Sequence, residues 1–182
     1  MLSIQCPPGL KTPALIELVS NIRHEFELRY KISDPVIESM LDEYLEPVCA
    51  LSPYIARTLV QYPELLPSLA QRNCLGKLPE YSDAVLDISV LRSELEANWL
   101  NELQASGTMD TKSIEAIQLR VLRHFRHHHM VRILWCDLTG VSSLEQTLCD
   151  LSLLAESCIR AADQWTFDAL TPRFGSPSDE TG

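Results

Sequence analysis

The chain has 182 residues, 46% hydrophobic and 22% charged, which excludes a disordered polymer and predicts one compact domain or one domain with an appendage. Fifteen Lys plus Arg against 25 Asp plus Glu leave a formal net charge of -10, arguing against a general affinity for nucleic-acid phosphates or an anionic membrane. Glycine is scarce at six, proline reaches eleven, and alternating Val/Thr-rich runs are missing, which argues against a sandwich or barrel with many tight turns. The expected fold is all-α, six to seven helices in an irregular bundle.

The predicted helices follow one another with proline as punctuation. Thr12-Pro13 opens the first, with Leu15, Leu18, Ile22 and Phe26 at helical spacing. Ser33-Asp34-Pro35 opens the second, whose stripe is Val36, Ile37, Met40, Leu41, Tyr44 and Leu45, and Pro47 is expected to limit it. Ser52-Pro53 caps a shorter segment through Leu59. Tyr62-Pro63-Glu64-Leu65-Leu66-Pro67 reads as a break followed by another short helical turn, and Asn73 to Pro79 as a loop. From Ser82 a long helix carries Val85, Ile88, Leu91, Leu95, Trp99 and Leu103 before Ser106-Gly107 closes it.

Asp110-Thr111 caps the next helix, which runs through Ile114, Ile117, Val121, Phe125 and Trp135 to a stop at Gly140. Ser142-Ser143-Leu144-Glu145 reads as a capping box in which the Ser142 hydroxyl accepts from the Glu145 amide. A second long helix follows, with an apolar stripe of Leu144, Leu148, Leu151, Leu154, Ile159, Ala162 and Trp165 expected to face the core. After Thr171-Pro172 the composition turns polar. Residues 1–170 are therefore expected to form the helical domain, and 171–182 a linker or a lead-in to a further domain.

Six scattered cysteines lack C-x-x-C spacing, no signal segment stands in Met1 to Leu10, and no apolar run is long enough to span a bilayer. A reducing cytoplasm with free thiols is the expected setting.

The most distinctive stretch is 119–138. It holds Arg120, Arg123, Arg126 and Arg132 and four of the five histidines, with no acid between Glu115 and Asp137. Arg123, Arg126 and Arg132 are the candidate residues for binding phosphate or bracing an interdomain interface, because guanidinium groups pair bidentately with phosphates and carboxylates. The bland alternative is a solvated basic face paired with the chain's own acidic helices. His124 and His128 stand four apart, the geometry of half a metal site, but no third ligand is near and the flanking arginines repel a cation, so no metal site is expected. Gly175-Ser176 with Asp179-Glu180 superficially matches nucleotidyltransferase chemistry. It fails because two metal-binding carboxylates must alternate on a strand. No catalytic residue is expected in this chain.

The basic helix, through Leu122, Arg123, Phe125, Arg126, Met130, Arg132, Ile133, Trp135 and Asp137, resembles the N-terminal part of the bifunctional glutamine synthetase adenylyltransferase/adenylyl-removing enzyme family. The run Leu144-Glu145, Leu148, Leu151-Ser152, Leu154-Ala155-Glu156 is similar to that family's next helix. Tyr62-Pro63-Glu64-Leu65-Leu66 is similar to its earlier P-E-x-L segment, and Arg173-Phe174-Gly175-Ser176-Pro177 to its lead-in to a catalytic sheet. The His127-His128-His129 run departs from the family's more usual Arg/Glu-bearing pattern.

The resemblance implies a nucleotidyltransferase that moves AMP onto and off a glutamine synthetase tyrosine in nitrogen assimilation. It implies Mg²⁺ and ATP or ADP as cofactors of the whole protein, and glutamine synthetase and a PII-type regulator as partners. The family's catalytic motifs, G-x-G-K-x-G-G-x-E followed by S-D-x-D, are absent here, so the region alone is expected to be catalytically silent, preceding a nucleotidyltransferase sheet that this chain lacks. A free-standing interaction module using the basic helix 119–138 is the alternative expectation.

Overall fold

A computed structural model describes residues 4–30, 35–71, 87–107 and 110–176, and among them the only regular elements are seven α-helices. In chain order these are α1 (Pro13–Tyr30), α2 (Pro35–Leu51), α3 (Pro53–Gln61), α4 (Leu65–Gln71), α5 (Ile88–Ser106), α6 (Thr111–Leu138) and α7 (Leu144–Phe174). The all-α expectation holds. Ser33-Asp34, the loop Asn73 to Pro79 and the predicted helix start at Ser82 lie outside the described residues.

The chain divides into two compact units. One comprises Met1–Val85 with His127–Asp150, the other Leu86–Arg126 with Leu151–Gly182.

In the first unit α1, α2 and α3 pack on one another, and α4 packs on α2. Thr12 starts α1 as its sequence requires: the Leu15 N–H donates to Thr12 Oγ1 at 3.2 Å, with Pro13 at the first helical position where no N–H is needed. Ile22 and Phe26 then reach the core, joined by Leu41, Leu45, Val48, Ile55, Leu59, Leu65, Leu66 and Leu69, and α6 contributes Val131, Trp135 and Cys136. Pro47 lies inside α2 rather than ending it. Its missing N–H forfeits one intrahelical bond, but the next turn carries the buried Val48 and Cys49, so packing holds the helix together through it. Burial pushes the Cys49 thiol up to about 12.

The second unit draws its buried apolar side chains from α5 (Leu91, Leu95), the first half of α6 (Ile117, Val121, Phe125) and α7 (Leu154). Asp87, which the sequence reading missed, caps α5 by accepting from the Ser89 N–H, and the Ser89 hydroxyl, with that backbone bond second, holds its carboxyl below the usual carboxylate range. Gly107 closes α5 in the left-handed region at φ 59°, with its N–H on the Leu103 carbonyl, as the Ser106-Gly107 pair predicts. Asp110 caps α6 through the Ser113 N–H at 3.0 Å.

The α6–α7 turn corrects the predicted capping box by one residue: Ser143, not Ser142, accepts from the N–H of Gln146 at 3.1 Å. Gly140 supplies the left-handed residue after α6, at φ 68°, and the Val141 N–H reaches back to the Cys136 carbonyl. α7 continues through Pro172 to Phe174, one turn into the stretch that reads as a linker, and Gly175 at φ 80° donates to the Thr171 carbonyl to end it.

The face that α7 buries is also a correction. Leu144, Leu148 and Ile159 of the expected core stripe are exposed by 70%, 55% and 68%, whereas Thr147, Asp150, Leu154 and Ser157 are buried. These four stand at i, i+3, i+7 and i+10, a proper helical stripe in which three members are polar. Each polar member has a partner, which removes the usual penalty for burying it. Thr147 donates to Asp137, Asp150 accepts from Arg132 and Gln146, and Ser157 donates to the Leu153 carbonyl.

Candidate functional site

The 28-residue α6 presents the basic stretch with its arginines in three different states. Arg120 pairs with Glu102 of α5 at 2.6 Å, both exposed, so part of the basic face is tied to the chain's own acids. Arg123 and Arg126 are exposed and make no ion pair among the described residues. Arg132 is buried, its Nη2 donating to Asp150 Oδ2 at 3.1 Å with side-chain exposures of 10% and 4%.

Helical geometry separates these states. Arg123 and Arg126 are three residues apart on neighbouring positions of one face, while Arg132 lies about 180° around the helix from Arg123 and about 120° from Arg126, given 3.6 residues per turn. The three candidates therefore do not form one guanidinium cluster. Arg123 and Arg126 belong to the second unit and Arg132 to the first.

Arg132 anchors a polar network within the first unit. Gln146 Nε2 donates to the other oxygen of Asp150 at 2.8 Å, and one turn further along α6 Thr147 Oγ1 donates to Asp137 Oδ1 at 3.0 Å. The two bonded pairs fasten the last turns of α6 to the first turns of α7. Such a pair stabilises little net of its desolvation, yet losing one partner strands the other charge in a dry place.

The histidines are equally divided. His124 is exposed. His127 lies among aromatic rings of the first unit, with Nδ1 2.9 Å from the Tyr54 hydroxyl and its centroid 6.0 Å from Tyr54 and 5.6 Å from Tyr62. The His128 and His129 rings are 5.0 Å apart, His129 fully buried. The triple-histidine run thus contributes to packing as well as to the helix surface.

The second unit contains a feature that the sequence did not announce. α5 and α7 enclose an open cleft of about 270 Å³ lined by Arg92, Leu95, Trp99, Arg160, Gln164 and Trp165 among others. The two tryptophan rings stand 5.5 Å apart, tilted by 44°, a favourable aromatic arrangement. Both stand at regular helical spacing in the sequence, and nothing in one-dimensional spacing separates a core tryptophan from one lining a cleft. Elsewhere on α7, burial pushes the Cys158 thiol up, opposed by the Arg126 guanidinium.

None of these arrangements is a phosphoryl- or nucleotidyl-transfer centre. Magnesium in that chemistry is held by carboxylates alternating on a strand, and the described residues hold no strand. Among the described residues, the acids do not fit that ion. Among the described residues no helix is long and apolar enough to cross a membrane.

Residues 43–182 match the profile of the family described as glutamate-ammonia ligase adenylyltransferase. The chain is similar to the bifunctional glutamine synthetase adenylyltransferase/adenylyl-removing enzyme of Shewanella oneidensis, 33% identical over 138 residues, covering 76% of this chain and 12% of that protein. It is similar also to the proteins of the same description from Thioalkalivibrio sulfidiphilus, 34% identical over 140 residues (77% and 13%), and Shewanella woodyi, 33% identical over 146 residues (77% and 13%). The chain thus spans about an eighth of the length of the curated relatives it matches. No solved structure matches it.

Proposed function

The chain belongs to the glutamate-ammonia ligase adenylyltransferase family, and from that premise we propose that it is the N-terminal helical region of an enzyme that moves AMP onto and off glutamine synthetase. The observation that carries the reading is the family match over residues 43–182, which runs from α2 through the whole of α7.

Its own role is architectural. The described residues supply none of the carboxylate pairs that nucleotidyl transfer needs, so ATP or ADP and Mg²⁺ are handled by the remainder of the longer protein. Arg123 and Arg126, exposed and side by side on α6, are the groups of this region that brace an interdomain interface or approach a nucleotide phosphate. Arg132 serves from inside, through Asp150, by fixing α6 to α7. Glutamine synthetase is the partner of the whole protein, a PII-type regulator its control, and the cytoplasm its setting. The rival reading, a free-standing module using residues 119–138, has less support, since two of its four arginines are already engaged with the chain's own acids.

The test supplies the chain with adenylylated glutamine synthetase, inorganic phosphate and Mg²⁺ and follows ADP release. No release above the protein-free rate is expected. Sustained turnover by this chain alone would overturn the architectural assignment.

A further inference from the structure

α7 is amphipathic with the polarity of its faces reversed. Its buried stripe is Thr147, Asp150, Leu154 and Ser157. Within the second unit, its opposite side carries Ile159 (68% exposed), Phe167 (43%), Leu170 (44%) and Phe174 (74%). These positions are separated by eight, three and four residues, so they return to one side of a 3.6-residue helix and form a stripe about 22 Å long at 1.5 Å rise per residue. Single exposed apolar residues need no explanation, but two phenylalanines, a leucine and an isoleucine aligned along one helix mark a surface that something covers.

We propose that this face of α7 is the docking surface for an apolar face of the remaining part of the longer family protein, packed in cis. The inference rests on the reading above that the chain is one region of such an enzyme. Three observations select this occupant. The chain accounts for about an eighth of its relatives' length, so a large covalently linked partner is available in a protein of that kind. The formal charge of -10 on each chain opposes the association of two copies, which makes a second copy a poor occupant. The stripe itself carries aromatic and branched apolar side chains with only Asp163 breaking its line, the composition of an interface core rather than of a polar rim. A cis partner can dock with a weak intrinsic affinity, since the tether supplies a high effective concentration. The interdomain surface of this region is thus chiefly apolar and lies on α7, with the exposed arginines of α6 supplementing it.

The experiment compares the 182-residue chain with a chimera in which this chain replaces the matched region of the Shewanella oneidensis relative. Hydroxyl-radical footprinting reads the side chains of Phe167 and Phe174, with exposed Val60 of α3 as reference. Severalfold protection of both phenylalanines in the chimera, with Val60 unchanged, is expected. Unprotected phenylalanines would overturn the proposal, and AMP transfer to glutamine synthetase measured on the same chimera separates the two claims. Activity with no protection sinks the docking surface alone, whereas inactivity with no protection sinks the family-region reading as well. Protection already present in the isolated chain, with a dimer in sedimentation velocity, would assign the face to a second copy and refute the cis partner. The variant Phe167→Glu/Phe174→Glu provides a second readout. It is expected to leave the thermal midpoint of the isolated chain unchanged and to lower that of the chimera, and equal midpoints for parent and variant chimera would count against docking.

Discussion

Replacing Arg132 by Met tests whether the α6–α7 junction depends on a buried charge pair or on a surface contact that happens to be short. The guanidinium sits 3.1 Å from Asp150 Oδ2, with only 10% and 4% of the two side chains exposed. Removing the arginine leaves the Asp150 carboxylate held only by Gln146, and stranding one member of a buried pair costs about 3–5 kcal/mol. The same pair on the surface would be worth about 0–1 kcal/mol. With an m-value of about 1–3 kcal/mol/M in urea, the larger figure lowers the unfolding midpoint by roughly 1 M or more. Trp135 gives a local signal, because it is fully buried in the first unit and the other two tryptophans, Trp99 and Trp165, can be changed to Phe. In that background the fluorescence transition of Trp135 should fall by the amount stated for Arg132→Met, and the double variant Arg132→Met/Asp150→Leu should recover most of the loss, since a buried pair and its apolar replacement are nearly equivalent. A single-variant loss below about 1 kcal/mol, or a double variant no better than the single, would refute the buried-pair reasoning.

Leu45→Ala and Leu59→Ala, each removing a fully buried side chain of the first core, should cost about 2–5 kcal/mol each by urea unfolding. Gly107→Ala meets no neighbouring atom but must hold φ 59°, so its loss should be about 1–2 kcal/mol and purely conformational, seen as a lower midpoint with unchanged helix content by circular dichroism. An alkylating reagent at neutral pH should modify exposed Cys149 and spare Cys49, whose thiol titrates near 12. Because folding raises the Cys49 pKa from 9.0, its contribution to stability is fully present below pH 9 and is lost as pH climbs toward about 12. A Cys49→Ser variant should therefore show a shallower alkaline loss of stability than the parent.

The helices were legible because their termini obey local chemistry. Thr12, Ser52, Asp110 and Gly107 act where their residue types predict. The break expected at Tyr62-Pro63 is where α3 gives way to α4, whereas Pro47, expected to limit α2, lies inside it. Pro47 and Pro172 each lack a single N–H yet stand inside their helices; the buried Val48 and Cys49 hold α2 through the first, and α7 runs two residues past the second before Gly175 ends it. The face of α7 was misjudged for a deeper reason. Periodicity assumes that apolar residues face inward, whereas Thr147, Asp150 and Ser157 point inward because Asp137, Arg132 and Leu153 supply their partners, and no one-dimensional pattern shows a partner 18 residues away. The basic stretch on α6 could be read, but which arginine would be buried depended on where Asp150 lay on the next helix.

As proposed above, this region completes a longer adenylyltransferase without doing its chemistry. The most direct measurement of that role is incorporation of labelled AMP from ATP into glutamine synthetase, with Mg²⁺ present, by the chimera carrying this chain in place of the matched Shewanella oneidensis region. Transfer well above that of the same relative lacking the region is expected, and none from the 182-residue chain alone. A folded chimera no more active than the deletion, or label transferred by the chain alone, would contradict it.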